Sequence, residues 1–487
     1  MFKFGLKADH FVVSAQFLKE NILLEPLKLL LKVAHYFPIK SDQARYQLAE
    51  CHHFVGSYNI ALELLQPLNP QSSSSKVALL WLTTLLDLLK FDEFDNLSSA
   101  LLTKTPNDPE LLIKIANGHY IRGQFSKCTK LLKQIDGSPI TNQLRDTTQA
   151  RIHFYEGRPA MAASLVLDYL DNPASNFSRH YLNYFLLLST GHTKQAMRLL
   201  RLRPRPMHPT ALKDKPSAYD IGPLKGKTIY VSPEQGIGDR VEFARFFKRA
   251  ADMGIILKTR QPRHLNRLFN SMRNAPHHGK YKLIPKEIDA SVKMGDLPAL
   301  LDVTDTEGMR SKPYLQAEPK LIDRWEQRVD RRKPVIGLAW KGSDLGCMDH
   351  NRSIPLSAFK PLLQRTDITV ICLQIGNALK EIDTLDPNHN LIVFPDLDQG
   401  KDAYVDTAGL IMNLDLVVTS DTSMAHVAGA LGAPSMVLLG RYPDLRWLQD
   451  ARPDYLYQNQ NLIRQETFGD WNTVVQKLNL FIDTKFL

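Results

Sequence analysis

Small residues recur along the first 205 positions at a spacing that few folds can use. Gly56, Gly123, Gly157 and Gly191 fall at one repeat position with a period near 34 residues, and Lys90 occupies the slot between the first two. Ala61, Cys128, Ala162 and Ala196 follow five residues later, and Leu65, Leu132, Val166 and Leu200 four after those. Ala49, Ala116 and Ala150 precede the glycines by seven. Antiparallel helices need small side chains where their backbones approach, and a glycine where one helix turns into the next. Self-similarity at this period predicts stacked helix pairs from about residue 10 to residue 205.

These markers resemble tetratricopeptide repeats. Five are counted, one of them degenerate around Trp81 to Leu102, and Leu27, Leu31 and Ala34 place a sixth in register at the start. The resemblance implies an α-solenoid over residues 1–205 whose inner face holds a peptide or protein segment; the alternative is an array that self-associates or only stiffens its neighbour. Prolines at 204, 206, 209 and 216, with Gly222 and Pro223, break the helical pattern and mark a linker at 206–224.

A chain of 487 residues is too long for one core. Lys plus Arg outnumber Asp plus Glu by 61 to 51, a formal charge of +10, which suits an anionic partner such as a nucleotide sugar, a phosphorylated glycolipid or a membrane surface better than it argues for nucleic acid. Cys51, Cys128, Cys347 and Cys372 are far apart and lack metal-ligand spacing, so they read as reduced thiols in a cytoplasmic protein. Lysines and glutamates interrupt the apolar N-terminus at helical intervals, leaving neither a signal-peptide core nor a membrane span.

The remainder alternates strand and helix. Leu416 to Thr419 is a β-branched run suited to a buried parallel strand, Asp421 offers a helix cap, a helix follows from Thr422 to Leu431, Gly432 ends it, and Ser435 to Leu439 is the next strand. Ligands sit at the carboxyl end of such strands, where a helix start directs N–H groups at anions. Earlier, a strand at Lys227 to Ser232 leads through Gly236, Gly238 and Asp239 into a helix expected over Val241 to Ala251. A dinucleotide fingerprint would need Gly at position 241, where this chain has Val, which disfavours a dehydrogenase. Pro334 to Trp340, Ile368 to Leu373 and Leu391 to Phe394 read as further strands, and Asp470 to Phe481 as a terminal helix.

The segment Asp421-Thr422-Ser423-Met424-Ala425-His426 resembles the Asp-Thr-Gly-Pro-Ala-His signature of glycosyltransferase family 9, the heptosyltransferase-like enzymes, with Ser423 and Met424 in place of Gly and Pro. Gly236-Ile237-Gly238-Asp239, about 180 residues earlier, strengthens the resemblance. It implies a GT-B fold of two Rossmann-like domains, at 225–330 for the acceptor and 331–487 for the nucleotide sugar, with a cleft between them. By that resemblance Asp239 is the candidate general base of an inverting transfer. Lys341, Arg352, Gln374, Asp421, Thr422, Ser423, Met424 and His426 form the donor-binding set, with the helix at 422 and Lys341 meeting the diphosphate. Gly236, Gly238, Asp406 and Arg446 are added as acceptor or donor contacts. Asp406 also reads as an N-cap, and Trp447 as core or ligand wall. No metal cluster stands out and no cofactor is expected; the nucleotide sugar is a substrate.

Three readings follow. The first is a cytoplasmic, metal-independent inverting glycosyltransferase acting on a protein acceptor presented by the repeats. The second transfers to lipopolysaccharide or another glycolipid, with the basic amphipathic segment from Lys258 to Arg273 at a membrane. The third is an inactive transferase domain on a repeat scaffold.

Overall fold

The computed structural model describes residues 15–16, 19, 24–34, 38–39, 41–70, 75–168, 170, 181–202, 215–272, 287–342, 349–448 and 455–487. By compactness the chain divides into residues 1–152 with 344–350, and residues 153–343 with 351–487.

The first unit is helical. It contains α1 (Leu24–Ala34), α2 (Asp42–Phe54), α3 (Tyr58–Leu65), α4 (Ser75–Asp87), α5 (Phe91–Lys104), α6 (Pro109–Ile121), α7 (Phe125–Leu132) and most of α8 (Pro139–Tyr155). The second begins with α9 (Pro159–Leu167), α10 (Tyr181–Ser189) and α11 (Thr193–Arg201). The alanine and cysteine markers are buried: Ala49, Ala61, Ala116, Cys128, Ala150, Ala162 and Ala196 are all fully enclosed. Gly56, Gly123, Gly157 and Gly191 turn between paired helices at φ of 82°, 67°, 73° and 78°, a region open to glycine and strained for other residues. In the degenerate repeat Leu89 takes this conformation, at φ 56°, and not the expected Lys90. Lys90 stands one place later, at the N-cap of α5 with an ordinary φ of −83°. Burial pushes the Cys128 thiol up to about 12 and those of Cys51 and Cys372 to about 11. Cys347 lies outside the described residues.

Two parallel sheets follow. The smaller has the order β2-β1-β3, with β1 at Thr228–Ser232, β2 at Ile256–Thr259 and β3 at Ala290–Lys293. Part of the expected linker joins it: Ser291 donates to the Pro216 carbonyl and Ala218 to that of Ser291. The single helix expected over 241–251 is instead α12 (Ile237–Ala244) and α13 (Phe246–Asp252), which begins four residues earlier and breaks at Arg245. Arg245 is buried and directs its guanidinium to the carbonyls of Glu242, Met309 and Leu456, which explains the break.

The larger sheet has the order β6-β5-β4-β7-β8-β9: β4 Val335–Ala339, β5 Thr369–Cys372, β6 Leu391–Ile392, β7 Leu416–Ser420, β8 Ser435–Leu439 and β9 Gln460–Arg464. Every pairing is parallel. Strands β4, β7 and β8 are buried along their whole length, as strands covered on both faces must be. Trp340, Phe359, Val418 and Leu438 share a core with Trp471, Val475 and Leu478 of α17 (Trp471–Phe486). Asp470 caps α17 by accepting the Thr473 N–H at 3.1 Å. Helices α14 (Pro319–Glu326), α15 (Val405–Ile411) and α16 (Ser423–Leu431) complete this half.

Strand β4 has β5 on one side and β7 on the other, so chain connections leave it in opposite senses. That is where open parallel sheets form a ligand crevice, beyond the carboxyl ends of the strands.

The five turns give a direct test. Gly123→Ala should lower unfolding free energy by about 1 kcal/mol, and Leu89→Gly, at a half-exposed turn, should raise it by about 0.5–1 kcal/mol by relieving the left-handed strain. Urea unfolding that finds Leu89→Gly destabilising would contradict this account of the repeat.

Candidate functional site

Asp239 stands in the first turn of α12, three residues after the N-cap Gly236. A Cβ on Gly236 would come within 2.8 Å of Asp239 Oδ2, so glycine there lets the carboxylate fold back over the helix start. Its Oδ1 lies 2.8 Å from Arg446 Nη2, and the Asp239 side chain keeps 26% of its surface exposed. Arg446 also pairs with Glu242, one helical turn beyond Asp239 on α12 and completely buried, and with Asp444 at 3.2 Å. Burial raises the Glu242 carboxyl, with Arg446 and Arg245 opposing the shift.

The second motif is directly alongside. A Cβ on Gly238 would sit 3.0 Å from His426 Cδ2 and 3.5 Å from the Ser423 Cα, so a glycine is needed for α12 to meet α16. The two motif segments therefore touch each other, where the sequence implied an open cleft. His426 is almost fully buried; its Nδ1 lies 3.0 Å from the Tyr457 hydroxyl and its ring stacks on Trp447 at 5.6 Å. Burial, then the charges of Arg446 and Arg245, push its pKa well below the ordinary histidine value, so the imidazole is neutral. Trp447 is core, 1% exposed.

The start of α16 differs from the expected cap. Thr422 holds the N-cap position, and no side chain caps it. Its hydroxyl is 3.3 Å from that of Thr419. Asp421 lies buried behind the helix start; burial raises its carboxyl, while Arg446 and Arg352 draw it down less strongly. Met424 is buried as well, whereas Ser423 remains half-buried with its Oγ 2.5 Å from the Tyr404 hydroxyl.

Lys341 follows β4 as Asp421 follows β7, and Ala339 pairs with Thr419, so both leave neighbouring strands at the same end. Lys341 Nζ is 3.7 Å from Glu381, which also accepts the Leu356 N–H at 3.0 Å. Gln374 corrects the expectation of a donor-facing amide. Its Oε1 accepts from the backbone of Trp340 and Lys341 at 3.0 and 2.9 Å, and its Nε2 donates to the carbonyls of Lys341 and Ile375. An amide has two donors and two acceptor sites, and all four are used to hold the loop that carries Lys341.

Asp406 stands apart from this group. It pairs with Arg324 at 3.2 Å, and the capping role falls to Asp398, which accepts the N–H groups of Tyr404, Asp406 and Thr407. The segment 258–272 is not one basic helix: it runs from β2 through a turn at Arg263–Leu265 to a short helix at Asn266–Phe269. Leu265, Leu268 and Phe269 are buried, and Arg267 pairs with Glu318 at 2.6 Å and Asp402 at 3.5 Å. Arg273 lies outside the described residues.

Glu242, Arg245, Asp398, Tyr404 and Tyr457 escaped the sequence reading. Only Glu242 carried a usable signal, an acid three residues after Asp239 inside an apolar helix, which places both on one face. Among the described residues no three His, Cys, Asp or Glu side chains converge as metal ligands, and no helix is long and apolar enough to cross a membrane.

No known family's sequence profile matches the chain. Protein FlbA of Caulobacter vibrioides is 23% identical over 277 residues, covering 52% of this chain and 46% of FlbA. The chain thus spans under half the length of that relative. Solved structures to which it is similar include the ADP-heptose heptosyltransferase II of E. coli, at 13% identity and a TM-score of 0.35 over 53% of this chain and 99% of that one; the family 9 glycosyltransferase of Veillonella parvula, at 12% and 0.37 over 54% and 97%; and the O-GlcNAc transferase of Thermobaculum terrenum, at 11% and 0.28 over 92% of each.

The neutral His426 predicts a pH dependence. The unfolded imidazole titrates near 6.5 and the folded one well below it, so at lower pH only the unfolded chain takes up the proton. Stability is then lost as pH falls below about 6.5, by at most about 1.4 kcal/mol per unit from this group. His426→Gln should flatten that loss between pH 7.5 and 5.5 in urea unfolding; an equal loss in both proteins would contradict it.

Proposed function

We propose that this chain is a metal-independent, inverting glycosyltransferase of GT-B architecture that moves a sugar from a nucleotide-sugar donor to a protein acceptor. One observation carries the reading. The carboxylate of Asp239 and the uncapped start of α16, about 180 positions apart in sequence, are held side by side through Gly238 and Arg446.

In this reaction Asp239 accepts the proton of the acceptor hydroxyl as its oxygen bonds to the anomeric carbon. The bond from that carbon to the phosphate oxygen breaks on the opposite face, and its electron pair leaves with the nucleoside diphosphate. Negative charge grows on the departing phosphate. The N–H groups at the start of α16 answer that charge, with Lys341 just past β4 and Arg352 in the loop that follows it.

The helical region supports a polypeptide acceptor. Paired helices joined at glycine turns form an α-solenoid of tetratricopeptide type in this reading, and its inner face takes an extended segment. The glycolipid alternative drew on the basic segment near Arg263, where Arg267 is instead engaged with acids of its own chain. A cytoplasmic setting, where nucleotide sugars are made, accompanies the proposal.

Asp239→Asn should cut transfer by about 10²- to 10⁴-fold while donor affinity stays within a few-fold, because a general base contributes to the chemical step. Lys341→Ala should instead weaken binding of the diphosphate. Nucleotide release from UDP-, GDP- and ADP-sugars with a protein acceptor, read beside nucleotide titrations, checks both. Normal turnover by Asp239→Asn would overturn the assignment.

A further inference from the structure

One cavity lies away from every residue assigned above to the donor. It has a volume of about 540 Å³ and is lined by Leu462 to Glu466 at the end of β9, by Arg441 just past β8 and by Lys477 of α17. Strand β9 is the edge of the larger sheet, two strands from β7 and three from β4. At a strand spacing of about 4.8 Å, its end stands roughly 10 Å or more from the strand ends that lead to Asp421 and Lys341.

The lining is cationic. Arg441, Arg464 and Lys477 face the single carboxylate of Glu466, which pairs with Lys477, so three cations against one anion leave a net charge of +2. Arg464 is held in place by donating to the carbonyls of Trp447 and Leu448. The Arg441 guanidinium lies 5.5 Å from the Tyr442 ring and makes no hydrogen bond among the described residues. Gln465 adds the decisive atom. It is 4% exposed, and its Oε1 is spent on the N–H groups of Arg441 and Gly469 at 3.1 and 3.2 Å, which fixes the orientation of the amide. Its Nε2, buried in the wall of the cavity, has no hydrogen-bond partner among the described residues. A buried donor left unmatched is costly, and an acceptor in the cavity removes that cost.

We propose that this cavity is a second binding site, separate from the donor crevice, for a small molecule that carries a phosphate monoester. Such a group bears about −1.5 to −2 charges at pH 7 and three strong acceptor oxygens, which matches the net charge of the lining and its amide and guanidinium donors; a carboxylate brings only one charge. Leu462 and Ile463 supply an apolar wall for the body of the molecule. The volume falls in the range of roughly 300–1,000 Å³ typical of small-molecule sites, more than an inorganic ion fills.

The test is calorimetric titration of the full chain at low salt with ribose 5-phosphate and glucose 6-phosphate, and with ribose as the uncharged control. Thermal melts show that each variant is folded. The parent should bind at least one of the two phosphates with a Kd of about 1 mM or tighter and should not bind ribose. Arg441→Gln should weaken that binding about tenfold or more, as loss of a charge-assisted hydrogen bond does. Gln465→Glu keeps an oxygen for the Arg441 and Gly469 N–H groups but puts a negative charge where the donor stood, and should weaken binding at least as much. Lys341→Ala should leave it within twofold. A parent that binds neither phosphate, or folded variants at 441 and 465 that match the parent, would refute the site. Binding lost in Lys341→Ala and kept in Arg441→Gln would place the phosphate in the donor crevice and refute it equally, leaving the Asp239 reading untouched.

Discussion

The guanidinium of Arg446 is pressed among three carboxylates, and the arrangement of the whole site depends on it. It is nearly enclosed, touching Asp239 at the surface, Glu242 in the interior and Asp444 in its own turn. Removing one member of a buried pair costs about 3–5 kcal/mol because the remaining charge has no water to turn to. Arg446 therefore fixes the first turn of α12 against the loop that follows β8. That loop is braced in turn: Arg464 donates to the carbonyls of Trp447 and Leu448, and the Gln465 side chain accepts the N–H groups of Arg441 and Gly469. Arg464 and Gln465 thus brace the segment that delivers Arg446.

Close backbone approach is the second constraint. Gly238 admits His426, and Gly429 lies over the Tyr457 ring, where a Cβ would come within 2.4 Å of Cγ. Tyr457 then meets His426 Nδ1 with its hydroxyl and the Arg245 guanidinium with its ring at 4.4 Å. A neutral histidine, a buried arginine and a tyrosine thus form a connected polar layer against α16. The last helices of the repeat region reach the same loop. Tyr155 donates to the Pro443 carbonyl, its ring is 5.3 Å from Tyr442, and the Tyr184 hydroxyl rests on Met309 Sδ at 3.2 Å. Tyr155 and α10 thus belong to the same compact unit as the sheets and pack within it.

Much of this was legible in the residues because backbone constraints are local. Glycines at one position of four repeats, a β-branched run before Asp421 and a Gly-x-Gly segment before Asp239 each restrict their own surroundings; the first two sit in the elements expected of them, while the helix expected after the third begins at Ile237 and takes in Gly238. Side-chain partnerships across the fold were not legible. Gln374 looked like a ligand contact because it ends a strand, yet its amide is saturated by backbone groups, three of the four bonds going to Trp340 and Lys341 more than 30 residues away in sequence. Asp421 looked like a cap, but the helix begins one residue later and leaves that carboxyl buried behind it. Lys90 missed the turn by one residue because a degenerate repeat had no glycine to mark the left-handed position that Leu89 fills.

The central claim is that Asp239 and Arg446 hold two remote segments together as one site. A double-mutant cycle tests it most directly: urea unfolding of the parent, Asp239→Asn, Arg446→Gln and the double variant, all at pH 7.5. The account predicts a coupling of about 1 kcal/mol or more between the two positions, in the range found for residues sharing one ion-pair network. Additive effects, agreeing within about 0.3–0.5 kcal/mol, would mean that the two side chains do not interact in solution.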